Sequence, residues 1–211
     1  MKNIIFIAPP AAGKGTQSNM LKEKFGYNHI STGDMLREAI NSGSEIGAEV
    51  KNIIDKGELV SDDLIIKLVK DKLTSLKGKP FILDGFPRTL NQAESLDKIL
   101  RDDYIVIYLD LDEDEAIKRI TGRLTCNCGK SYNVNIDKLK PKVDGICDNC
   151  GSILIKRDDD NVESFKVRFK TFLDNTDSIL KYYEDKEKLI KIDVNKDVQD
   201  IFESILEVIN D

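Results

Sequence analysis

Several things are scarce in this sequence. It has no tryptophan and a single histidine, His29, in 211 residues. A lone imidazole excludes catalysis built on several histidines and reads as a packing or hydrogen-bonding residue. No apolar run approaches the roughly 20 residues that a bilayer-crossing helix needs. Positive charge is short as well: 32 Lys and Arg against 38 Asp and Glu leave a net charge of −6. Binding a nucleic-acid backbone calls for a basic stripe that releases counterions, so that class of partner is not expected. A small anionic substrate is still allowed, because a few local arginines outweigh a negative total. All four cysteines lie between 126 and 150. They form a local cluster, not a spread disulfide framework. Internal repeats and low-complexity tracts are absent.

What is present is a globular composition, 40% hydrophobic and 33% charged. The chain is long enough to bury most of its apolar surface as one domain, or as one domain carrying insertions. Residues 4–12 are apolar after Lys2 and faintly resemble a secretory signal. Pro9 and Pro10 break that run, and Gly13-Lys14-Gly15 falls where a cleavage site belongs. The cytoplasm is the expected compartment.

Four compact apolar runs, 4–8, 81–83, 104–109 and 189–192, predict strands covered on both faces, because they are continuous where a half-exposed strand would alternate. Residues 27–31 are a weaker fifth. Between them lie helical stretches with recognisable starts. Ser61-Asp62-Asp63 opens one, Thr89 and Gln92 form a capping box, and Asp112 with Glu115 begins another. Strand and helix alternating in this way predict a parallel α/β sheet with right-handed crossovers. Two segments break the rhythm. Residues 31–60 form a small, mostly helical excursion, and residues 122–159 hold the cysteines without an amphipathic helix. Both read as insertions on the ligand-binding edge of the sheet, since long loops in a compact domain are commonly lids or binding elements.

The first strand runs into Ala8-Pro9-Pro10-Ala11-Ala12-Gly13-Lys14-Gly15-Thr16, and a helix follows. Such a loop wraps phosphate with backbone N–H groups, helped by the positive end of the helix dipole and the charge of Lys14. The strict phosphate-loop pattern is not met. Ala8 stands where glycine is required, and Gly15 separates Lys14 from Thr16. The competing reading is an ordinary turn into a helix. A second strand ends in Asp84-Gly85-Phe86-Pro87-Arg88. A carboxylate at a buried strand tip is costly without a cation or donors, and beside a phosphate loop its natural partner is hydrated magnesium. Otherwise Asp84 merely caps a turn and Arg88 is solvated. Phe165, Arg168, Phe169 and Phe172 share one helical face. Arg168 therefore sits inside an apolar stripe, either as a site residue or with its head snorkelling out. Arg119 and Arg123 would point the same way if one helix carried both; Arg119 also has the spacing of an i, i+4 pair with Glu115.

Gly13-Lys14-Gly15-Thr16-Gln17, Ser31-Thr32-Gly33-Asp34-Met35-Leu36-Arg37 and Asp84-Gly85-Phe86-Pro87-Arg88-Thr89 together closely resemble the signature stretches of the adenylate kinase family. The resemblance continues through Gly122-Arg123 and Arg157-Asp158-Asp159-Asp160-Asn161 to the C-terminal helix. It implies a P-loop nucleoside monophosphate kinase fold with a five-stranded parallel sheet flanked by helices and two inserted mobile segments. The core would be 1–30, 61–121 and 160–211, with an AMP-binding insertion at 31–60 and a lid at 122–159. The implied reaction is reversible phosphoryl transfer from Mg-ATP to AMP, giving two ADP, in a cytoplasmic monomer that binds neither nucleic acid nor membrane.

Carried over residue by residue, the resemblance implies ATP contacts at Ala11, Ala12, Gly13, Lys14, Gly15, Thr16, Arg119, Arg123, Ser131, Tyr132 and Lys196. It implies AMP contacts at Thr32, Arg37, Glu58, Leu59, Val60, Gly85, Phe86, Pro87, Arg88, Gln92, Arg157 and Arg168. Lys14, Arg88, Arg123, Arg157 and Arg168 would gather round the migrating phosphoryl group, Asp159 and Asp160 would hold the closed form, and Asp84 would meet magnesium through water. Ala8, Ala11 and Val194 replace glycines common in the family. If either alanine needs φ > 0, its Cβ costs about 1 kcal/mol.

Cys147-Asp148-Asn149-Cys150 has the spacing of a zinc knuckle, and Cys126-Asn127-Cys128 is one residue shorter. Four thiolates in two clusters suit tetrahedral structural zinc, as in the long lid of some bacterial members; the alternatives are reduced thiols or an oxidised pair. Two rival functions keep part of this pattern. One is a kinase for GTP or for another nucleoside monophosphate. The other is a non-catalytic zinc or nucleotide-binding module, for which six cations spread over separate segments have no evident use.

Overall fold

The computed structural model describes residues 1–43, 45–56, 59–100 and 104–210. Five parallel strands form the central sheet: β1 (Asn3–Ile7), β2 (Asn28–Ser31), β3 (Phe81–Asp84), β4 (Tyr104–Asp110) and β7 (Leu189–Asp193), in the order β2-β3-β1-β4-β7. Side chains on β1 alternate between two cores, as the period of two requires. Ile4 and Phe6 face one cluster with Phe165, Phe169 and Phe202, while Ile5 and Ile7 face the other with Val69, Leu96 and Tyr183. The helices that cover these faces are α1 (Lys14–Phe25), α4 (Asp62–Ser75), α5 (Leu90–Leu100), α6 (Glu113–Thr121), α7 (Val162–Glu184) and α8 (Val198–Asn210). Among the described residues no helix is long and apolar enough to cross a membrane.

All five strand expectations are met in position. The reading of 189–192 as covered on both faces is corrected: β7 pairs only with β4, and Lys191 and Asp193 are exposed, as befits an edge strand. The helix starts also fall where expected, with different chemistry. Ser61 and Asp112 cap α4 and α6 without a side-chain hydrogen bond. The Thr89–Gln92 box is half formed: Gln92 N donates to Thr89 Oγ1 at 3.2 Å, but the Gln92 side chain turns to accept from Arg88 N.

Two excursions rise from the C-terminal edge. The first carries α2 (Thr32–Asn41) and α3 (Glu45–Asp55) directly after β2. Ser31 caps α2 by accepting from Asp34 N at 3.2 Å, a bond worth about 1 kcal/mol. The second follows α6. It contains the antiparallel pair β5 (Arg123–Thr125) and β6 (Ser131–Asn133), a short 3-10 turn at Asp137–Leu139, and no α-helix. Its own buried core is small: Cys126, Tyr132, Cys147 and Leu154.

Candidate active site

The C-terminal ends of β1 and β3 set the floor of an open cleft of about 1530 Å³. After β1 the chain turns through Ala11 at φ 65° and Gly13 at φ 87° into the N-terminus of α1. Only Ala11 of the two alanines adopts the left-handed conformation, so Ala8 carries no such strain. Lys14 Nζ donates to the Ala8 and Pro9 carbonyls, both at 3.1 Å. Those neutral acceptors leave its charge uncompensated. Burial is the largest influence on it and, with Arg88, Arg168 and Arg123 crowding nearby, outweighs the attraction of Asp84, bringing Lys14 down to about 8.

Asp84 closes β3, level with Phe6 of β1 and Ser31 of β2. Burial alone would raise its carboxyl. The hydrogen bond from His29, and the charges of Lys14 and Arg88, instead hold it below the usual carboxylate range. His29 Nε2 lies 3.3 Å from Asp84 Oδ2, and because an ionised carboxylate only accepts, that nitrogen carries the proton. The hydrogen-bonding role expected for His29 is thus met, inside the cleft.

Cations from separate parts of the chain converge on this floor. Arg37 of α2, Arg88 after β3, Arg123 of β5, Arg157 before α7 and Arg168 of α7 all line the cleft with Lys14. The crowding is visible in the acidity of three of them. Burial lowers Arg88, Arg157 and Arg168, and repulsion from neighbouring arginines adds to it, from Arg168 and Arg37 on Arg88 and from Arg123 and Arg37 on the other two; Arg157 falls to about 10. Arg123 grips Asp160 with two nitrogens, Nε to Oδ2 at 2.7 Å and Nη2 to Oδ1. Arg168 Nη1 meets Asp159 Oδ2 at 2.7 Å, and Arg37 meets Asp34 at 2.5 Å. Arg157 accepts from Asp160 N through its carbonyl at 3.1 Å, but its guanidinium makes no hydrogen bond among the described residues.

A recess of about 80 Å³ opens from the cleft beneath α2, lined by Thr32, Leu36, Leu59, Val60, Ile65 and Gln92, with Gly85 and Arg88 at its mouth. Thr32 Oγ1 donates to Gly85 O at 2.9 Å. Gly85, at φ 83°, admits no side chain, since a Cβ would approach Thr32 Oγ1 to 2.8 Å. Phe86 and Pro87 are buried below and line neither cavity. Glu58 lies outside the described residues.

At the far end of the cleft are Ala11, Ala12, Gly15, Thr16, Arg119, Ser131, Tyr132 and Lys196. Arg119 makes its i, i+4 pair with Glu115 at 3.0 Å and also donates to Val194 O at 2.9 Å. Tyr132 spends its hydroxyl within the insertion, accepting from Asp148 N at 2.7 Å, 3.5 Å from Cys147 Sγ. One helix does not carry both Arg119 and Arg123. Helix α6 ends at Thr121 and Arg123 begins β5; the Gly122 between them leaves room for Asn133 and Asn135, which a Cβ there would meet.

A family model described as adenylate kinase matches residues 6–188. An adenylate kinase of Thermosipho africanus is 46% identical over 98% of this chain and 99% of its own length. That of Archaeoglobus fulgidus is 46% identical over 96% and 95% of the two chains, and that of Clostridium tetani 40% over 98% of each. The chain belongs to the adenylate kinase family. Its five-stranded parallel sheet with flanking helices is the P-loop nucleoside monophosphate kinase fold.

Not every residue that builds this adenylate kinase cleft was marked by its sequence. Gln17 is buried and donates Nε2 to Val198 O at 3.0 Å, joining α1 to α8. Asn19 reaches the second excursion, donating to Gly129 O at 2.7 Å, and Lys138 pairs with Asp197. Asp62 does more than open α4, because it accepts from three side chains. Motif spacing holds no signal for such partners, which lie 27 to 181 residues away in the chain.

The cysteine sulfurs all lie within 4.8 Å of one another, with Cys126–Cys150 at 3.4 Å and Cys128–Cys147 at 3.7 Å. None is disulfide-bonded. Zn–S bonds near 2.3 Å imply tetrahedral edges of about 3.8 Å, so the donor set fits.

Proposed function

We propose that the protein transfers the terminal phosphoryl group of Mg-ATP to AMP, reversibly, yielding two ADP. The observation that carries this reading is the convergence of Lys14, Arg37, Arg88, Arg123, Arg157 and Arg168 on one cleft. Phosphoryl transfer asks little covalent help of a protein; positioning and stabilisation of charge do most of the work. ATP lies with its phosphates in the loop 8–16, where backbone N–H groups, the α1 terminus and Lys14 meet them. Its base lies toward Arg119, Val194 and Lys196. AMP places its base in the recess under Leu59 and Val60, beside Thr32 and Gln92, and its phosphate against Arg37 and Arg88. Arg123, Arg157 and Arg168 collect around the group in flight.

Asp84 is the residue suited to magnesium: it is ionised, aimed into the cleft, and oriented by His29. The ion, carried in with ATP, neutralises phosphate charge. The division into a core (1–30, 61–121 and 160–211), an AMP-binding insertion (31–60) and a lid (122–159) belongs to the same proposal. Its support is that both excursions wall the cleft and that Asp159 and Asp160 already hold Arg168 and Arg123 where anionic substrate would otherwise sit. Excluding water from that space keeps ATP from hydrolysis. Cys126, Cys128, Cys147 and Cys150 would hold a structural zinc ion, with no open position for substrate. A monomer in the cytoplasm is the expected state, since every proposed contact comes from one chain.

A coupled assay across ATP, GTP, AMP, CMP and UMP tests the reading. AMP with ATP should exceed the other pairs by about tenfold or more in kcat/KM, and Lys14→Ala should lower kcat by about 10²-fold or more. Preference for CMP or UMP would falsify the acceptor assignment. An inactive wild type would point to a binding module.

A further inference from the structure

The Gln92 side chain is 2% exposed and reaches the recess with its amide already constrained at both ends. Its Oε1 accepts from Arg88 N at 2.7 Å, and its Nε2 donates to Asp62 Oδ1 at 2.7 Å. A backbone N–H only donates and an ionised carboxylate only accepts, so the assignment of oxygen and nitrogen is not ambiguous. Turning the amide over would set Nε2–H against Arg88 N–H and Oε1 against a carboxylate. Asp62 is itself held. Its Oδ2 accepts from Thr89 Oγ1 at 2.9 Å and from Asn91 Nδ2 at 2.8 Å.

Each end of the amide keeps one unspent function. Oε1 has a second lone pair and Nε2 a second proton, side by side as an acceptor and a donor. Adenine offers the complement along its Watson–Crick edge, N6–H to donate and N1 to accept. Hypoxanthine offers the reverse, O6 to accept and N1–H to donate. We infer that Asp62 is a specificity-determining positioning residue: by locking the Gln92 amide in one orientation it makes the recess accept adenine and refuse its 6-oxo counterpart. The inference rests on the placement of the AMP base in this recess. It assigns a role to a residue that does not touch the nucleotide.

Asp62→Asn discriminates sharply because the amide that replaces the carboxylate has one acceptor atom for three donors. With Thr89 and Asn91 claiming that oxygen, Nδ2 turns toward Gln92 and favours the flipped amide. The measurement is kcat/KM for AMP and for inosine monophosphate, with ATP as donor, in wild type, D62N and the control D63N. Asp63 is exposed in the same first turn of α4, so the control removes the same helix-terminal charge without touching Gln92. D62N should shrink the AMP-to-IMP ratio by about fivefold or more, raise KM for AMP and leave KM for ATP unchanged, while D63N keeps the wild-type ratio. An active D62N with the wild-type ratio, or an equal change in D63N, overturns the inference. If D62N does not melt cooperatively, Asn91→Ala decides, since it withdraws a donor from the same carboxylate. A fall of about twofold or more supports the lock, and an unchanged ratio overturns it. A wild type that favours IMP, or does not use AMP, would instead sink the placement of AMP itself.

Discussion

Lys14 holds a positive charge where the protein disfavours one. Burial, helped by the neighbouring arginines, brings it from an ordinary 10.5 to about 8. The charged form is the one that meets phosphate, and it predominates below that value. In the free enzyme, kcat/KM for ATP should therefore fall as pH rises through about 8, following the loss of one proton. Bound phosphate favours the ammonium, so kcat should hold to higher pH than kcat/KM. Between about 8 and 10.5 the unfolded chain binds more protons at this site than the folded one. The group's contribution to stability thus rises with pH across that window, as the penalty for burying its charge fades. A pH profile of both constants for wild type and Lys14→Arg provides the check. The arginine, whose charge persists, should remove the alkaline fall; a wild-type kcat/KM that stays flat to pH 9.5 or so would refute the assignment. Ala11 is strained in the same loop, at φ 65°. The left-handed turn costs about 1 kcal/mol there; replacement by glycine would relieve that strain in the folded protein, and the greater entropy of the unfolded chain would offset most of the gain.

At the scale of elements, the cysteine insertion is the least self-sufficient part of the protein. Four buried residues, two of them cysteines, form its core, far fewer than a stretch of this length needs to fold alone. It is tied to the body by polar contacts: Asn19 to Gly129, Lys138 to Asp197, Asn133 and Asn135 to the end of α6, and the Arg123–Asp160 and Arg168–Asp159 pairs. A metal joining the 126–128 and 147–150 turns would supply the missing cohesion, because binding energy in such a site becomes folding energy. Removing zinc by chelation should lower the melting temperature while leaving initial turnover at moderate temperature largely intact. Differential scanning calorimetry with metal analysis before and after chelation gives the readout; unchanged melting after verified loss of metal would count against a structural role. The insertion was legible in the sequence as a break in the strand–helix rhythm. Its strands were not, for β5 and β6 are three residues each, too short for alternation to register. The need for glycine at 122 was hidden for another reason: a side chain there would meet Asn133 and Asn135, and those residues lie more than ten positions on.

For the whole molecule, legibility followed how locally each feature is encoded. The central strands announce themselves in continuous apolar runs, and the phosphate loop, the recess glycine and Arg168 within the apolar stripe of α7 in short motifs. The pairing of His29 with Asp84 depends on parallel register between strands 55 residues apart, which no local pattern contains. Charge shows the same division. A net −6 would repel nucleotides if it acted as a whole, yet twelve Lys and Arg against eight Asp and Glu line the cleft, while carboxylates dominate elsewhere. The sign of the salt dependence separates the two cases. At about 0.02 M salt the Debye length is about 20 Å and the field of the cleft reaches an approaching nucleotide; at about 0.3 M it is down to about 6 Å. If the cleft cations dominate, KM for ATP and for AMP should rise several-fold between about 0.02 and 0.3 M KCl. If the overall charge dominates, added salt should instead lower both. Steady-state kinetics at fixed free magnesium distinguishes these outcomes. Neutralising Arg157, the one arginine of this group whose donors have no protein partner among the described residues, should flatten the dependence without altering the fold.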